Sequence, residues 1–356
     1  MAALALVAGW TLKNELLPNE WVERIYARVL FPPIRNALTA CARLFPISLA
    51  ELGLAVLSLW ILFRCARGLA ATRARTIGWS ELLLGGLRQS LFAASVVYLL
   101  FLLTWGLNHA RQPYAVSAGL AVRPSTEAEL MAAARELVAR ANEIRAGIAE
   151  DERGVLRSRF DRDGFRAAVA QAFERAAATQ ELLSGPPPLL RFALGSRAMT
   201  AASIPGIYSP LTGEAHVDAE QLPIELGFNA CHEVAHSRGF AREDEANYLA
   251  YFVATRAAEP ELAYSGYLMA LRHVTSALGG LKALGLLDGL RPGALRDWKA
   301  LSEFWRPSGR MQQAVRVVSE RINHAYLTSQ GQALGTKSYG RMVDLLLAER
   351  RAKAGS

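Results

Sequence analysis

Residues 223–247 read Pro-Ile-Glu-Leu-Gly-Phe-Asn-Ala-Cys-His-Glu-Val-Ala-His-Ser-Arg-Gly-Phe-Ala-Arg-Glu-Asp-Glu-Ala-Asn, and they hold the strongest local pattern in the chain. Pro223 suits the first position of a helix, and Gly239 suits the left-handed residue that ends one. The acidic run that follows suits the start of another helix. The stretch therefore predicts a helix, a tight turn, and a second helix from about Ala241 to about Ala258.

The first of these helices carries the run His232-Glu233-Val234-Ala235-His236. Residues four apart share a helix face, so both imidazoles can reach one metal ion. Glu233 lies beside them, where its carboxylate can take a proton from a metal-bound water whose pKa zinc lowers to about 7. The run predicts a zinc site with His232 and His236 as ligands and Glu233 as general base. Two buried, hydrogen-bonded core histidines are the alternative.

An acidic cluster after the Gly239 turn offers a third ligand, although acids also gather at helix N-termini simply to compensate the dipole. Two histidines, one glutamate and a water complete an open zinc site. In zinc peptidases with a glutamate ligand, an aspartate four positions later orients a ligand histidine. Glu243 and Asn247 fit that spacing, and the Asn247 amide can accept an imidazole N–H, so Glu243 is the favoured ligand. Glu245 is the alternative ligand or a neighbour of the ligands.

The hydropathy of the chain predicts a membrane region. The 356 residues carry a net charge of +8, and the mean hydropathy is +0.14, which indicates that part of the chain lies in lipid. Residues 47–63 and 90–107 are the predicted spans, and residues 1–17 are a weaker third. The positive-inside rule assigns the arginines between the two spans to the cytoplasm: Arg64, Arg67, Arg73 and Arg75.

Two domains follow from that assignment. We expect a membrane region, residues 1–108, in the bacterial cytoplasmic membrane, crossing it more than once, and an extracytoplasmic domain, residues 109–356. In the first, residues 19–44 suit an amphipathic helix pair broken at Pro32-Pro33. In the second, Thr126 and Glu129 form a capping box that opens a helix to about Ile148. Residues 192–217 indicate short strands, so the expected fold class is α-rich α+β.

The chain resembles a known family in four separated motifs and from about Pro18 onward. The motifs are His232 to Asn247, Gly206 to Ala215, Tyr264 to Leu268 and Lys337 to Asp344. They are similar to bacterial membrane proteins grouped as domain-of-unknown-function family 3810. The resemblance implies transmembrane helices followed by a gluzincin-like zinc metallopeptidase domain, and it implies no particular substrate.

Two further sets of residues are expected at the site. Gluzincins place an edge strand, which pairs with the substrate backbone, before the zinc helix. That position holds Gly213, Glu214, Ala215 and His216, for which a plain structural hairpin is the alternative. An oxyanion donor is also needed, with Tyr326 favoured and His216, Tyr264 and Tyr208 as alternatives.

The sequence as a whole predicts a membrane-anchored, zinc-dependent hydrolase and favours a peptidase that acts on a peptide or protein of the cell envelope. One alternative is a non-catalytic zinc-binding membrane scaffold with the same ligands. Another is a metal-free accessory protein in which the histidines are packed in the core. No basic stripe with interleaved aromatic residues is present, so no nucleic-acid partner is expected.

Overall fold

The computed structural model describes residues 17–76, 78–330 and 341–354, without the side chains of residues 280–283. Its contacts divide the chain into two compact units. One runs up to Arg111 and takes in Ser209–Glu214, and the other comprises Gln112–Tyr208 and the chain from Ala215 onward. The weak first span predicted at residues 1–17 lies, apart from Leu17, outside the described residues.

The described part of the first unit begins with one continuous helical path. The turn Asn19–Trp21 leads into a π-helical segment, Val22–Leu30, and then into α1, Phe31–Arg43. Pro32 and Pro33 lie in the first turn of α1, directly after the π-helical segment. The predicted break at these prolines is therefore wrong, because the path changes from π to α type there without interruption.

Helices α2, Leu49–Arg73, and α3, Trp79–Thr104, are both long and apolar enough to cross a membrane. Many of their large apolar side chains are exposed, among them Leu54, Leu59, Leu62, Leu83, Phe92 and Leu103. Contiguous exposed apolar surface of this extent is unusual on a soluble protein. Both helices are longer than the predicted spans. α2 continues through Arg64 and Arg67 to Arg73, because arginine is a good helix former and a charged segment need not be a loop.

The start of α2 is capped twice. The Ser48 hydroxyl accepts the Glu51 N–H at 3.1 Å. The Glu214 carboxylate, which is fully buried, accepts the N–H groups of Leu49 at 3.2 Å and Ala50 at 2.9 Å. Three of the N–H groups left without an intrahelical partner at a helix start are thereby satisfied.

The second unit is a helical domain with a small sheet. Its principal helices are α4 (Glu127–Arg145), α5 (Arg162–Ala177), α6 (Pro223–Ser237), α7 (Glu243–Ala254), α8 (Pro260–Leu278), α9 (Gly280–Leu287), α10 (Pro292–Phe304), α11 (Arg310–Ser329) and α12 (Met342–Ala354). The capping box between Thr126 and Glu129 opens α4. The α-rich class with a small sheet is thus confirmed.

The core of this unit forms where α6 packs against α7 and α8, and α8 against α4. On α6, Phe228, Cys231 and Val234 are buried. A Cβ atom at Gly227 would lie 3.1 Å from the Ser265 Cβ atom, so the absence of a side chain lets α6 approach α8 closely. This packing holds α6 rigidly, and the histidines lie on α6.

Three short strands form one sheet in the order β1-β3-β2, where β1 is Leu190–Phe192, β2 is Gly206–Ser209 and β3 is Glu214–Val217. β1 runs parallel to β3, with Leu190 opposite Ala215. β3 is therefore the central strand, and β2 lies at an edge.

Candidate metal centre

Helix α6 presents its two histidines to one point. The Nε2 atoms of His232 and His236 are 3.0 Å apart. The Nδ1 atom of His236 lies 2.7 Å from the Phe240 carbonyl oxygen. Because a carbonyl only accepts, Nδ1 carries the proton and the Nε2 lone pair is directed toward His232. Gly239, with a φ of 87°, forms the turn that brings the Phe240 carbonyl back to the ring.

Helix α7 brings Glu243 to the same point. Its Oε2 atom is 3.2 Å from Nε2 of His232, and its Oε1 atom is 3.7 Å from Nε2 of His236. Ligand atoms of the three residues lie within 4.8 Å of one another. Four ligand atoms around a tetrahedral zinc ion are about 3.3 Å apart, given bonds of about 2.05 Å. The observed spacings bracket that value, so this donor set fits zinc in size and in chemistry.

Glu245 has different partners. Its Oε1 atom accepts the Tyr114 N–H at 2.7 Å and an N–H of Arg242 at 3.3 Å. The Tyr114 ring in turn packs against Phe240 and Tyr248. Of the two acids that the sequence offered as ligands, the structure brings Glu243 to the histidines and ties Glu245 to the backbone before α4.

The surroundings shift the pKa values of the two histidines in opposite directions. Burial lowers the pKa of His232, but the Glu243 carboxylate and the Asn247 side chain outweigh it, so the pKa is raised. Burial lowers the pKa of His236 to about 4. His236 is therefore neutral near pH 7, which is the form that binds metals. Asn247 is buried, and its side chain contributes to the raised pKa of His232.

Glu233 follows His232 directly in the chain and is buried. Burial raises its pKa to about 8, against the opposing effects of His232 and of a hydrogen bond from the Tyr208 backbone. A Cβ atom at Gly206 would lie 2.6 Å from both Cγ and Oε1 of Glu233. Edge strand β2 thus runs directly along the Glu233 carboxylate. A bound cation would favour the ionised carboxylate and lower this pKa.

The three tyrosines considered as oxyanion donors have different surroundings. Burial and the nearby Glu243 carboxylate raise the pKa of Tyr326, so its hydroxyl stays protonated and able to donate, although 38% of the residue is exposed. The Tyr264 hydroxyl instead donates to Asp297 at 2.8 Å, in a separate buried network. Tyr208 contributes its backbone N–H to Glu233.

The residues expected to bind substrate at an edge strand lie elsewhere in the sheet. Ala215 and His216 are in β3, the central strand, and both are buried. Glu214 caps α2, and the φ of Gly213 is 70°. The expected position is therefore corrected: the edge strand beside Glu233 is β2, Gly206–Ser209. Local sequence cannot separate the two strands of a hairpin into edge and centre, because the third strand comes from residues 190–192.

One residue near the site carried no sequence signal. His273, on α8, packs its ring 5.9 Å from the Phe228 ring. Burial and the positive charge of His232 lower its pKa to about 4. It reaches the site only because α8 crosses α6.

A comparison with known families matches residues 26–347 to the family described as "Protein of unknown function (DUF3810)". The chain belongs to this family. The DUF3810 match takes in the helices and strands described above from the π-helical segment to α12, including every residue of the candidate site. No curated protein and no solved structure matches the chain.

Proposed function

We propose that this DUF3810 protein is a membrane-anchored, zinc-dependent hydrolase that acts as a peptidase. One observation carries the proposal: two imidazoles and one carboxylate from consecutive helices converge within 4.8 Å, beside the buried carboxylate of Glu233. A structural histidine pair needs neither a converging acid nor a second buried acid close by.

His232, His236 and Glu243 would hold the metal. Zinc supplies there a Lewis acid that polarises a carbonyl and lowers the pKa of water. The Phe240 carbonyl fixes the His236 ring, and the Asn247 side chain raises the pKa of His232. Such outer contacts orient ligands and raise their basicity, which supports a preformed site.

Glu233 would move the proton. Peptide hydrolysis requires a base that deprotonates the attacking water and an acid that protonates the leaving nitrogen. A carboxyl group whose pKa is raised toward neutrality can do both in turn, and the Tyr208 N–H fixes its orientation. Tyr326 would donate its hydroxyl to the oxyanion. The substrate class, a peptide or protein of the cell envelope, follows from the membrane anchor proposed next.

Helices α2 and α3 would anchor the protein in the bacterial cytoplasmic membrane. Their lengths, hydropathy and exposed apolar side chains support two spans. The arginines at the end of α2 favour the cytoplasm for the connection between them. The chain after α3 would then lie on the extracytoplasmic side.

The decisive experiment compares two substitutions in the full-length protein. Glu233→Gln keeps the size of the side chain but cannot take up a proton. We expect it to retain about one zinc per chain while peptide hydrolysis falls by about 10²–10⁴-fold. Glu243→Gln should lose zinc. Glu245→Gln is the matched control, since its carboxylate contacts Tyr114 and Arg242, and it should keep both zinc and turnover.

Two outcomes would refute the proposal. Wild-type protein that binds less than about half an equivalent of zinc, without chelators, would show that the histidines are core residues. Zinc-loaded wild-type protein whose cellular role survives Glu233→Gln unchanged would identify a non-catalytic zinc scaffold.

A further inference from the structure

Helix α11 exposes a continuous apolar stripe. Met311 is 79% exposed, Val315 38%, Val318 55% and Ile322 65%. Their spacing of four, three and four residues places them on one helix face. Tyr326 continues the same face by one more turn and lies near Glu243 at the candidate metal centre. The stripe is about 22 Å long at 1.5 Å per residue.

The contacts of α11 with the rest of the unit lie away from the stripe. Leu327 is the buried side chain of this helix. Arg316 donates to the Trp305 carbonyl and to the Glu320 carboxylate. A surface helix of a globular domain normally turns its apolar face inward. In α11 the apolar face is exposed instead, and an exposed apolar face of this kind marks an interaction surface.

Charge beside the stripe indicates the nature of the partner. Arg310 and Arg321 are exposed on the same flank of the stripe, about 100° from its centre. Within the described part of the chain, neither has a carboxylate at ion-pair distance, and the acid of α11, Glu320, pairs with Arg316. An apolar face with arginines along its border is complementary to acidic lipid headgroups above an acyl-chain layer.

We propose that the stripe of α11 binds the surface of a lipid bilayer that contains acidic lipids. Met311, Val315, Val318 and Ile322 enter the boundary between headgroups and acyl chains, and Arg310 and Arg321 contact headgroup phosphates. The proposal rests on the membrane anchoring in the proposed function and is independent of hydrolysis. Because Tyr326 lies at the end of the stripe and near Glu243, this binding would turn the metal centre toward the lipid surface. The substrate class is then a peptide bond held close to the membrane.

A second copy of the chain fits this surface less well. The stripe covers about two heptads, whereas helix pairing through such stripes is typical of three or four. An antiparallel pair of copies would also bring the arginines of one flank next to each other, with no acid between them, which is unfavourable.

Depth-dependent quenching in lipid nanodiscs tests the proposal on the full chain. Exposed Cys41 and Cys65 are replaced by serine, and Cys231 is kept because it is buried with a pKa raised to about 12. Val318→Cys and Ile322→Cys carry an environment-sensitive fluorophore, and lipids brominated on the acyl chain are the quencher. Gln313→Cys, exposed on the other side of the helix, is the matched control.

We expect quenching at positions 318 and 322 to be about three-fold or more stronger than at 313. Replacing Arg310 and Arg321 by Gln should reduce it in discs of acidic lipids and leave it unchanged in neutral ones. Equal quenching at all three positions would overturn the proposal. So would disulfide cross-linking between copies in the unlabelled Val318→Cys variant, or labels that become shielded only when a peptide substrate is added.

The outcomes separate this proposal from the proposed function. Loss of zinc or of turnover in the Glu233 and Glu243 variants leaves the quenching result untouched. Failure of the chain to insert into nanodiscs would refute the anchoring and this proposal together. Insertion without selective quenching would refute this proposal alone.

Discussion

Gly206 decides the position of the Glu233 carboxylate, which we propose as the general base. Its absent side chain leaves the space that Glu233 occupies, since a Cβ atom there would lie 2.6 Å from Cγ and Oε1 of Glu233. We expect Gly206→Ala to displace Glu233 by about 1 Å and to lower kcat/KM by about 10²-fold. Zinc content should stay unchanged, because the atoms nearest to that Cβ belong to Glu233 and not to a proposed ligand.

Parallel measurement of kcat/KM and bound zinc checks this expectation. Gly285→Ala is the control, because a Cβ atom there meets nothing within 4 Å. Undiminished turnover in Gly206→Ala would show that Glu233 is not held by β2.

Glu225 gives the protein a pH-dependent stability. It is buried, and its Oε1 atom accepts the Trp305 indole N–H at 2.7 Å. Burial raises its pKa from 4.5 to about 7, and so does the charge of Asp218, against lowering by Trp305, Arg272 and Asn229. Between these pH values the folded protein holds a proton that the unfolded chain has lost. The contribution of Glu225 to stability is therefore fully present below pH 4.5 and is lost as pH rises to 7.

Glu225→Gln removes that titration and keeps an acceptor for Trp305. We expect the variant to gain up to about 3 kcal/mol over the wild type above pH 7, with no gain below pH 4.5. Denaturant melts from pH 4 to 8 measure it, with exposed Glu143→Gln as reference. Wild-type and variant stabilities with the same slope against pH would contradict the prediction.

At the scale of elements, the cap on α2 depends on one buried carboxylate. Glu214 uses separate oxygens for the N–H groups of Leu49 and Ala50. Glu214→Gln can satisfy one of them and leaves the other buried, which costs about 1–3 kcal/mol. Thermal melting of the full chain in detergent should show that loss, and exposed Glu220→Gln should stay within about 0.5 kcal/mol of the wild type. Equal melting temperatures of the two variants would show that the Glu214 carboxylate does not stabilise the start of α2.

The sequence predicted those elements whose signals are local. Thr126 and Glu129 marked the start of α4, and Pro223 and Gly239 framed the helix of the metal site. The predicted spans are shorter than the helices that carry them, because charge bounds a span in lipid but does not end a helix. The sequence could not place β3 in the centre of the sheet, since the pairing partner Leu190 is far away in the chain.

The candidate site shows the same division between local and distant information. The spacing of His232 and His236 fixed a shared helix face. The choice between Glu243 and Glu245, two residues apart, needed a distant contact, because the Tyr114 N–H takes the Glu245 carboxylate. His273 had no signal at all, since its proximity to His232 follows from the crossing of two helices.

At the scale of the whole molecule, one buried ion pair ties together distant parts of the second unit. Asp297 on α10 is fully buried and accepts N–H groups of Arg145 on α4 and of Leu156, together with the Tyr264 hydroxyl on α8. Asp297→Ala would strand the buried Arg145 charge, at a cost of about 3–5 kcal/mol.

Chemical denaturation of the full chain checks this cost. Glu143→Ala, which breaks the exposed pair with Arg140, is the comparison and should cost about 1 kcal/mol or less. A similar small loss for both variants would mean that Arg145 finds another counter-charge, and Glu150 is the acid already beside it.

The short turn at Gly239 places every proposed ligand between His232 and Glu243, in one brief stretch of chain. Closing so small a loop costs little entropy, and each doubling of loop length adds only about 0.6 kcal/mol. A bound metal ion would therefore close only a short loop, and it would reduce the conformational entropy of the unfolded chain little. The segment can gather an ion once its two helical turns have formed, before distant strands pair. Its affinity for metal should accordingly survive local unfolding of the three-stranded sheet, while the proposed hydrolysis, which needs β2 against Glu233, should not.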